Sequence, residues 1–148
     1  MADDPASRMS ERRRRRAHAL YRTLAAIALG GILGALARYG LAVALPSHPG
    51  GFVRATFLIN VTGCLLMGAL MALLAARPTL PPLTQPFLGV GVLGGFTTFS
   101  TYILDVHQAD SPGTTLLVLA ATPLAALPAV WLGSAITEAL LRRTGTTR

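Results

Sequence analysis

The sequence has no lysine, one cysteine and few acidic residues. All 13 basic residues are arginines, they stand against six aspartates and glutamates, and charged residues make up 13% of the 148 positions. A soluble domain usually carries about twice that share of charge. Because 52% of the residues are apolar, the chain has too little polar surface to coat a water-soluble globule. The composition therefore predicts a membrane protein, and the length excludes a multidomain enzyme.

Other absences exclude particular chemistries. The single cysteine, Cys64, rules out a disulfide within the chain. No phosphate-binding loop of the form G-x-x-x-x-G-K-[ST] occurs, so the sequence does not encode nucleotide-driven pumping. The histidines, His18, His48 and His107, lack ligand spacing, which argues against a metal site built from side chains. We expect a protein that is not an enzyme.

Four apolar stretches predict an all-α membrane protein with four transmembrane helices. They cover residues 24–45, 55–76, 87–104 and 115–141, and each approaches or exceeds the length of about 20 residues that a spanning helix needs. We divide the chain into a basic cytoplasmic tail (residues 1–23), a transmembrane domain (residues 24–141) and a basic C-terminal tail (residues 142–148). The first stretch also resembles a secretory signal, but the three spans that follow make one unnecessary.

The arginines predict how the chain inserts. Eleven of them lie in the two tails or in the loop after the second span, on one side of the membrane, whereas Arg54 lies on the other. Because positive residues stay in the cytoplasm, we predict a multi-pass protein of the plasma (inner) membrane with both termini cytoplasmic. The run Arg12–Arg16 also resembles a nucleic-acid patch, but an anchor beside anionic lipid is the better interpretation. We expect contact with membrane lipid and none with nucleic acid.

The third span carries an unusual run of glycines and hydroxyl groups. Gly94 and Gly95 are followed by four hydroxyl residues within five positions. An interior glycine costs about 1 kcal/mol relative to alanine, and backbone leaves a helix at bilayer depth only where protein or water satisfies it. We predict a third helix broken in mid-membrane near residues 94–98, with carbonyls free for a cation and amides free for an anion. Close helix packing through Gly91 and Gly95 is the alternative explanation of the glycines.

Two further polar side chains lie inside predicted spans. Asn60 shares a helical face with Thr56, and its amide either holds helices together or donates hydrogen bonds to a ligand. Arg38 either extends its guanidinium to the interface beside Tyr39 or stands at a pore mouth and attracts anions. The sequence leaves both choices open.

Three motifs resemble those of the CrcB/Fluc fluoride channels. They are Gly30-Gly31-x-x-Gly34-Ala35-x-x-Arg38-Tyr39, Thr56-x-x-x-Asn60-x-x-Gly63 and Gly94-Gly95-x-Thr97-Thr98-Phe99-Ser100-Thr101-Tyr102. The match covers three of the four spans in the right order. The resemblance implies an antiparallel dimer of four-helix subunits with two narrow anion pores. It also implies passive export of fluoride, which keeps the cytoplasmic fluoride concentration low.

The resemblance implies roles for individual residues as well. The fluoride pore would be lined by an amide, two aromatic rings, three hydroxyl groups and a vestibule guanidinium: Asn60, Phe99, Tyr102, Ser100, Thr101, Thr56 and Arg38. A structural sodium ion would be held by the backbone carbonyls of Gly94 and Thr97. Asp105 stands where the family often has an acidic residue.

The sequence also departs from the family pattern. Tyr102 adds a phenol where phenylalanine is usual, and the fourth span has Ala126 and Val130 where relatives can place hydroxyl groups. An antiparallel homodimer requires one sequence to insert both ways, which the arginine bias opposes. The partner is therefore either a second copy of the chain or an oppositely oriented paralogue.

Two other functions are the alternatives. A small multidrug-type exporter with four helices needs a carboxylate in its first span, and this first span has no Asp or Glu. A non-transporting membrane scaffold would explain packing glycines but has no use for the hydroxyl run in the third span.

Overall fold

A computed structural model of the chain describes residues 5–45 and 54–145, without the side chains of residues 5–8 and 10. The predictions that concern residues 1–4, His48 and Arg148 lie outside this part of the chain. The helices are α1 (Pro5–Ala44), α2 (Arg54–Ala76), the π-helix π1 (Gln85–Leu93), α3 (Gly94–Phe96), α4 (Ser100–His107) and α5 (Pro112–Arg143).

The helices provide four segments long and apolar enough to cross a membrane. These are Glu11–Ala44, Arg54–Ala76, Gln85–His107 and Pro112–Arg143. The described ranges contain no strand, so the all-α fold class and the four predicted spans are confirmed. Helix α1 runs without interruption through the predicted boundary between residues 23 and 24. From Pro5 onward, the basic tail is therefore a helical extension of the first span.

The third span is assembled from π1, α3 and α4. At the end of π1 the Gly94 N–H donates to the Gly89 carbonyl, five residues earlier, which is the spacing of a π-helix. Helix α3 ends at Phe96, Thr97 has an extended backbone with φ −72° and ψ 158°, and α4 begins at Ser100. We call residues 97–99 the linker segment.

Glycines bring α1 against the first half of the third span. A methyl group added to Gly34 would collide with the Val92 carbonyl, and one added to Gly91 would lie 2.9 Å from the Gly30 Cα. Small residues at such positions let two helix backbones approach closely. Packing therefore accounts for Gly30 and Gly34 of α1 and for Gly91 of π1.

A second glycine contact joins α2 to α5. A methyl group on Gly68 would collide with the Val130 carbonyl, and one on Gly133 would collide with the Leu65 carbonyl. The bundle thus contains two helix pairs. We call α1 with the third span the first pair and α2 with α5 the second pair.

Candidate functional site

Asn60 joins α2 to the linker segment. Its Nδ2 donates to the Thr98 carbonyl at 3.0 Å, and its Oδ1 accepts from the Thr98 N–H at 2.9 Å. Because a backbone N–H can only donate, the second bond identifies the side-chain oxygen. The Asn60 side chain is buried. Among the described residues its second amide hydrogen has no partner, so Asn60 both holds two elements together and keeps one free donor.

Thr98 also organises the start of α4. Its Oγ1 accepts from the Thr101 N–H at 3.2 Å and donates to the Thr101 Oγ1 at 3.0 Å. A hydroxyl that accepts from the N–H three residues later satisfies one of the free donors at a helix start, as an N-cap does. The Thr98 side chain therefore caps the helix that follows the linker segment.

These bonds divert two N–H groups from helical partners. In a continuous α-helix the Thr98 N–H would donate to the Gly94 carbonyl, and the Thr101 N–H would donate to the Thr97 carbonyl. Here the two N–H groups donate to side-chain oxygens of Asn60 and Thr98 instead. Carbonyls released from a helical ladder are the ligands that membrane proteins use for sodium ions. The two carbonyls predicted to bind sodium therefore have the right chemistry.

A cavity of about 430 Å³ borders the linker segment at Thr98. Its walls include Arg38 of α1, Thr56 of α2, Thr98 and Thr101. The Nε atom of Arg38 is buried and has no hydrogen-bond partner among the described residues. We call this the first cavity. It offers a guanidinium and hydroxyl groups, which together favour an anion.

Thr56 has a second neighbour outside the first cavity. The side chain of Asp105 in α4 lies close to that of Thr56. The Oδ2 atom of Asp105 is buried and, in the described part of the chain, has no hydrogen-bond partner. The acidic residue that the motif comparison singled out thus lies beside Thr56, which lines the first cavity.

A second cavity, of about 280 Å³, also borders the linker segment. Asn60, Cys64, Phe99 and Tyr102 line it, together with Thr98. Thr98 is therefore common to both cavities. The linker segment therefore borders one space with a cationic wall and another space with an amide and two aromatic rings.

The two aromatic rings of the second cavity differ in their surroundings. The centroids of Phe99 and Tyr102 are 5.8 Å apart, with ring planes inclined by 47°. Phe99 is 75% exposed, whereas Tyr102 is 7% exposed. The Tyr102 hydroxyl donates to the Leu119 carbonyl of α5 at 2.7 Å. This chain therefore fixes Tyr102 firmly and leaves one side of Phe99 uncovered.

Comparison with known proteins identifies the family to which a chain with this site belongs. The family model described as "CrcB-like protein, Camphor Resistance (CrcB)" matches residues 25–134. The chain belongs to the CrcB-like family. Its matched region begins within α1 and ends within α5, so it contains both cavities and the linker segment.

Named relatives of the CrcB-like family are similar over most of the chain. "Fluoride-specific ion channel FluC 2" of Thermobifida fusca is 53% identical, over 81% of this chain and 91% of its own length. "Fluoride-specific ion channel FluC 1" of Streptomyces coelicolor is 47% identical, over 75% of this chain and 74% of its own. "Fluoride-specific ion channel FluC 2" of Nocardia farcinica is 49% identical, over 75% and 81% respectively. The predicted family is confirmed, and the chain is a multi-pass membrane protein rather than an enzyme.

The structure distributes the predicted pore residues of this CrcB-like chain between the two cavities. Arg38, Thr56 and Thr101 line the first cavity, while Asn60, Phe99 and Tyr102 line the second. Ser100 is exposed and lines neither cavity.

Thr98 is the residue to which the sequence assigned no role. It bonds to Asn60, caps α4 and borders both cavities. The spacing Thr98-x-x-Thr101 after a glycine pair is a capping pattern that could have identified it.

Proposed function

We propose that this chain is a subunit of a fluoride-selective channel that exports fluoride passively. The named relatives support this proposal by their identity and coverage. The observation that carries it is the Asn60 side chain, which is fixed to Thr98 by two hydrogen bonds and still has one amide hydrogen to donate. A small, strongly hydrated anion enters a narrow passage only where close donors replace its water, and a donor held in place needs no reorganisation.

In the proposed passage, the two cavities act in sequence. The Arg38 guanidinium attracts the anion into the first cavity, where the hydroxyl groups of Thr56 and Thr101 replace part of its hydration shell. In the second cavity, Asn60 donates its free amide hydrogen. Ring edges carry the positive part of the aromatic quadrupole, so Phe99 and Tyr102 present favourable edges to an anion.

The exposure of two predicted residues supports a dimer. Phe99 is 75% exposed, and Ser100 is exposed at the start of α4. An anion bordered by these side chains would meet lipid unless another protein surface lay opposite. We therefore propose that a second, oppositely inserted subunit completes the pore wall against Phe99 and Ser100.

A sodium ion at the linker segment is part of the proposal. The carbonyls of Gly94 and Thr97 have lost their α-helical N–H partners to Asn60 and Thr98, which makes them suitable ligands. A bound sodium ion supplies a fixed positive charge inside the membrane, where an uncompensated anion is costly. Asn60 and Thr98 contribute by keeping the N–H groups turned away from those carbonyls.

The arginine distribution supports an orientation and a choice of partner. Eleven arginines on one side against Arg54 on the other favour cytoplasmic termini. A negative cell interior then drives fluoride outward, by about 2.3 kcal/mol per charge for each 100 mV. The same bias favours one fixed orientation for this chain and an oppositely inserted paralogue as its partner. Copies of this chain carrying two different tags would co-purify as functional dimers, with no paralogue present, only if the homodimer forms.

Fluoride release from liposomes tests the proposed function. Vesicles loaded with potassium fluoride and containing the dimeric protein should release fluoride when valinomycin is added, as measured with a fluoride electrode. Vesicles loaded with chloride should retain it. Thr62→Ala is a matched control in α2, because the Thr62 hydroxyl bonds to the Leu58 carbonyl of its own helix. A folded, dimeric preparation that releases no fluoride, or that releases chloride equally fast, would refute the proposal.

A further inference from the structure

Helix α5 contains a backbone carbonyl that its own helix cannot satisfy. Pro123 lies inside α5 and has no N–H. In an α-helix the N–H of residue 123 would donate to the carbonyl of Leu119. The proline therefore leaves the Leu119 carbonyl without its helical partner in the middle of a membrane span, where water is not available to replace it.

The Tyr102 hydroxyl supplies the missing donor from another helix. It lies 2.7 Å from the Leu119 carbonyl oxygen, and the Tyr102 side chain is 7% exposed. Two groups that would each be unsatisfied in an apolar environment thus satisfy each other. Pro123 and Tyr102 also line the same cavity as Asn60, so the bond is part of the wall of the second cavity.

The geometry points to Tyr102 as a positioning residue. Its phenol replaces the N–H that Pro123 lacks and thereby links the third span to α5 by a hydrogen bond, which we call the brace. Its hydrogen is committed to Leu119, so the phenol does not donate to a passing anion. The brace fixes the ring of Tyr102, whose centroid lies 5.8 Å from that of Phe99, and thereby the aromatic wall of the second cavity. The consequence for transport rests on the proposed function, whereas the bond itself does not.

A double-mutant cycle tests the brace. Tyr102→Phe removes the phenol, Pro123→Ala restores an N–H for Leu119, and the double variant combines them. Pro123→Ser supplies the same N–H and serves if the alanine variant does not fold. Pro128→Ala is the matched control, because Pro128 also interrupts α5 but the carbonyl four residues before it belongs to Leu124. Each variant is made in the full chain, and its thermal unfolding midpoint is measured in detergent.

We expect Tyr102→Phe to lower the unfolding midpoint by about 3 °C in the natural chain and in the Pro128→Ala chain, which corresponds to loss of one buried hydrogen bond. In the Pro123→Ala chain the same substitution should change the midpoint little, because the backbone N–H restored at position 123 already serves Leu119. An equal loss in all three backgrounds, or no loss in any of them, would overturn the inference.

Fluoride release separates this inference from the proposed function. If both hold, Tyr102→Phe should slow release by about fivefold at equal amounts of folded protein, and Pro123→Ala should remove that deficit. If the natural chain releases no fluoride but the unfolding midpoints still depend on Pro123, the brace is established and the channel proposal fails. If release slows equally with and without Pro123, the positioning role of the phenol is wrong.

Discussion

Asn60 takes both backbone hydrogen-bonding groups of Thr98, one through its amide nitrogen and the other through its oxygen. An asparagine side chain thus replaces the peptide partners that a continuous third helix would have supplied. The interruption in the third span is stabilised from α2, and the residue proposed to donate to the anion is also the residue that holds the interruption in place.

Replacing Asn60 with aspartate separates its two bonds. Asn60→Asp keeps an oxygen to accept the Thr98 N–H but cannot donate to the Thr98 carbonyl, and it adds a negative charge. We expect a loss of about 1 kcal/mol in unfolding free energy and at least about tenfold slower fluoride release. Thermal unfolding and electrode measurements on the same preparation check both. Release at the natural rate would contradict the role of Asn60 as a donor.

The Thr98 hydroxyl stabilises the start of α4, and this contribution can be tested apart from the bonds to Asn60. Thr98→Val keeps the shape of the side chain but cannot accept the Thr101 N–H, and loss of a helix cap costs about 1 kcal/mol. We expect the unfolding midpoint to fall by about 3 °C, whereas Thr98→Ser should stay close to the natural protein. If serine and valine behaved alike, the capping bond would not contribute to stability.

The close contact between α1 and π1 predicts a sharp contrast between two glycines of one helix. A methyl group on Gly34 meets the backbone of Val92, whereas one on Gly40 meets open space. We expect Gly34→Ala to destabilise the protein by about 2 kcal/mol or to prevent folding, because the obstruction is backbone and cannot rotate away. Gly40→Ala should be tolerated. Gel filtration and thermal unfolding of the two variants provide the comparison.

Cys64 offers a chemical test of the second cavity, because it lines that cavity beside Asn60 and is the only cysteine in the chain. Attaching a methylthio group there should narrow the passage and slow fluoride release severalfold. Cys64→Ala should release fluoride normally and be insensitive to the reagent. Fully modified protein, verified by mass spectrometry, that still releases fluoride at the natural rate would place the anion path elsewhere.

The sequence predicted the spans well because length and apolar composition determine which segments can cross a membrane. It also drew attention to residues 94–101 of the third span, since paired glycines followed by hydroxyl residues are poor helix interiors. The two cavities contain six of the seven pore residues that the family motifs suggested. These features depend on local chemistry, which a single chain displays directly.

What the sequence left open depends on contacts between distant residues. The hydrogen bonds of Asn60 could not be predicted from the sequence, because their partner, Thr98, lies 38 positions along the chain. From the sequence, Tyr102 is only a departure from the usual phenylalanine. The hydrogen bond of its phenol to Leu119, and the proline at position 123 that makes this bond necessary, become apparent only in the fold. In both cases a side chain forms a hydrogen bond with a backbone group that lacks its helical partner, and the bond depends on the contact between two helices.

The two helix pairs have a mechanical consequence. Within each pair, glycines let backbone pack against backbone, so these contacts leave no room for larger side chains. Between the pairs, the hydrogen bonds from Asn60 to Thr98 and from Tyr102 to Leu119 form two separate links across the interface. Under heat or harsh detergent we expect the two pairs to separate at this interface before the helices within either pair dissociate. Both hydrogen bonds involve residues that line the second cavity, through which the anion is proposed to travel.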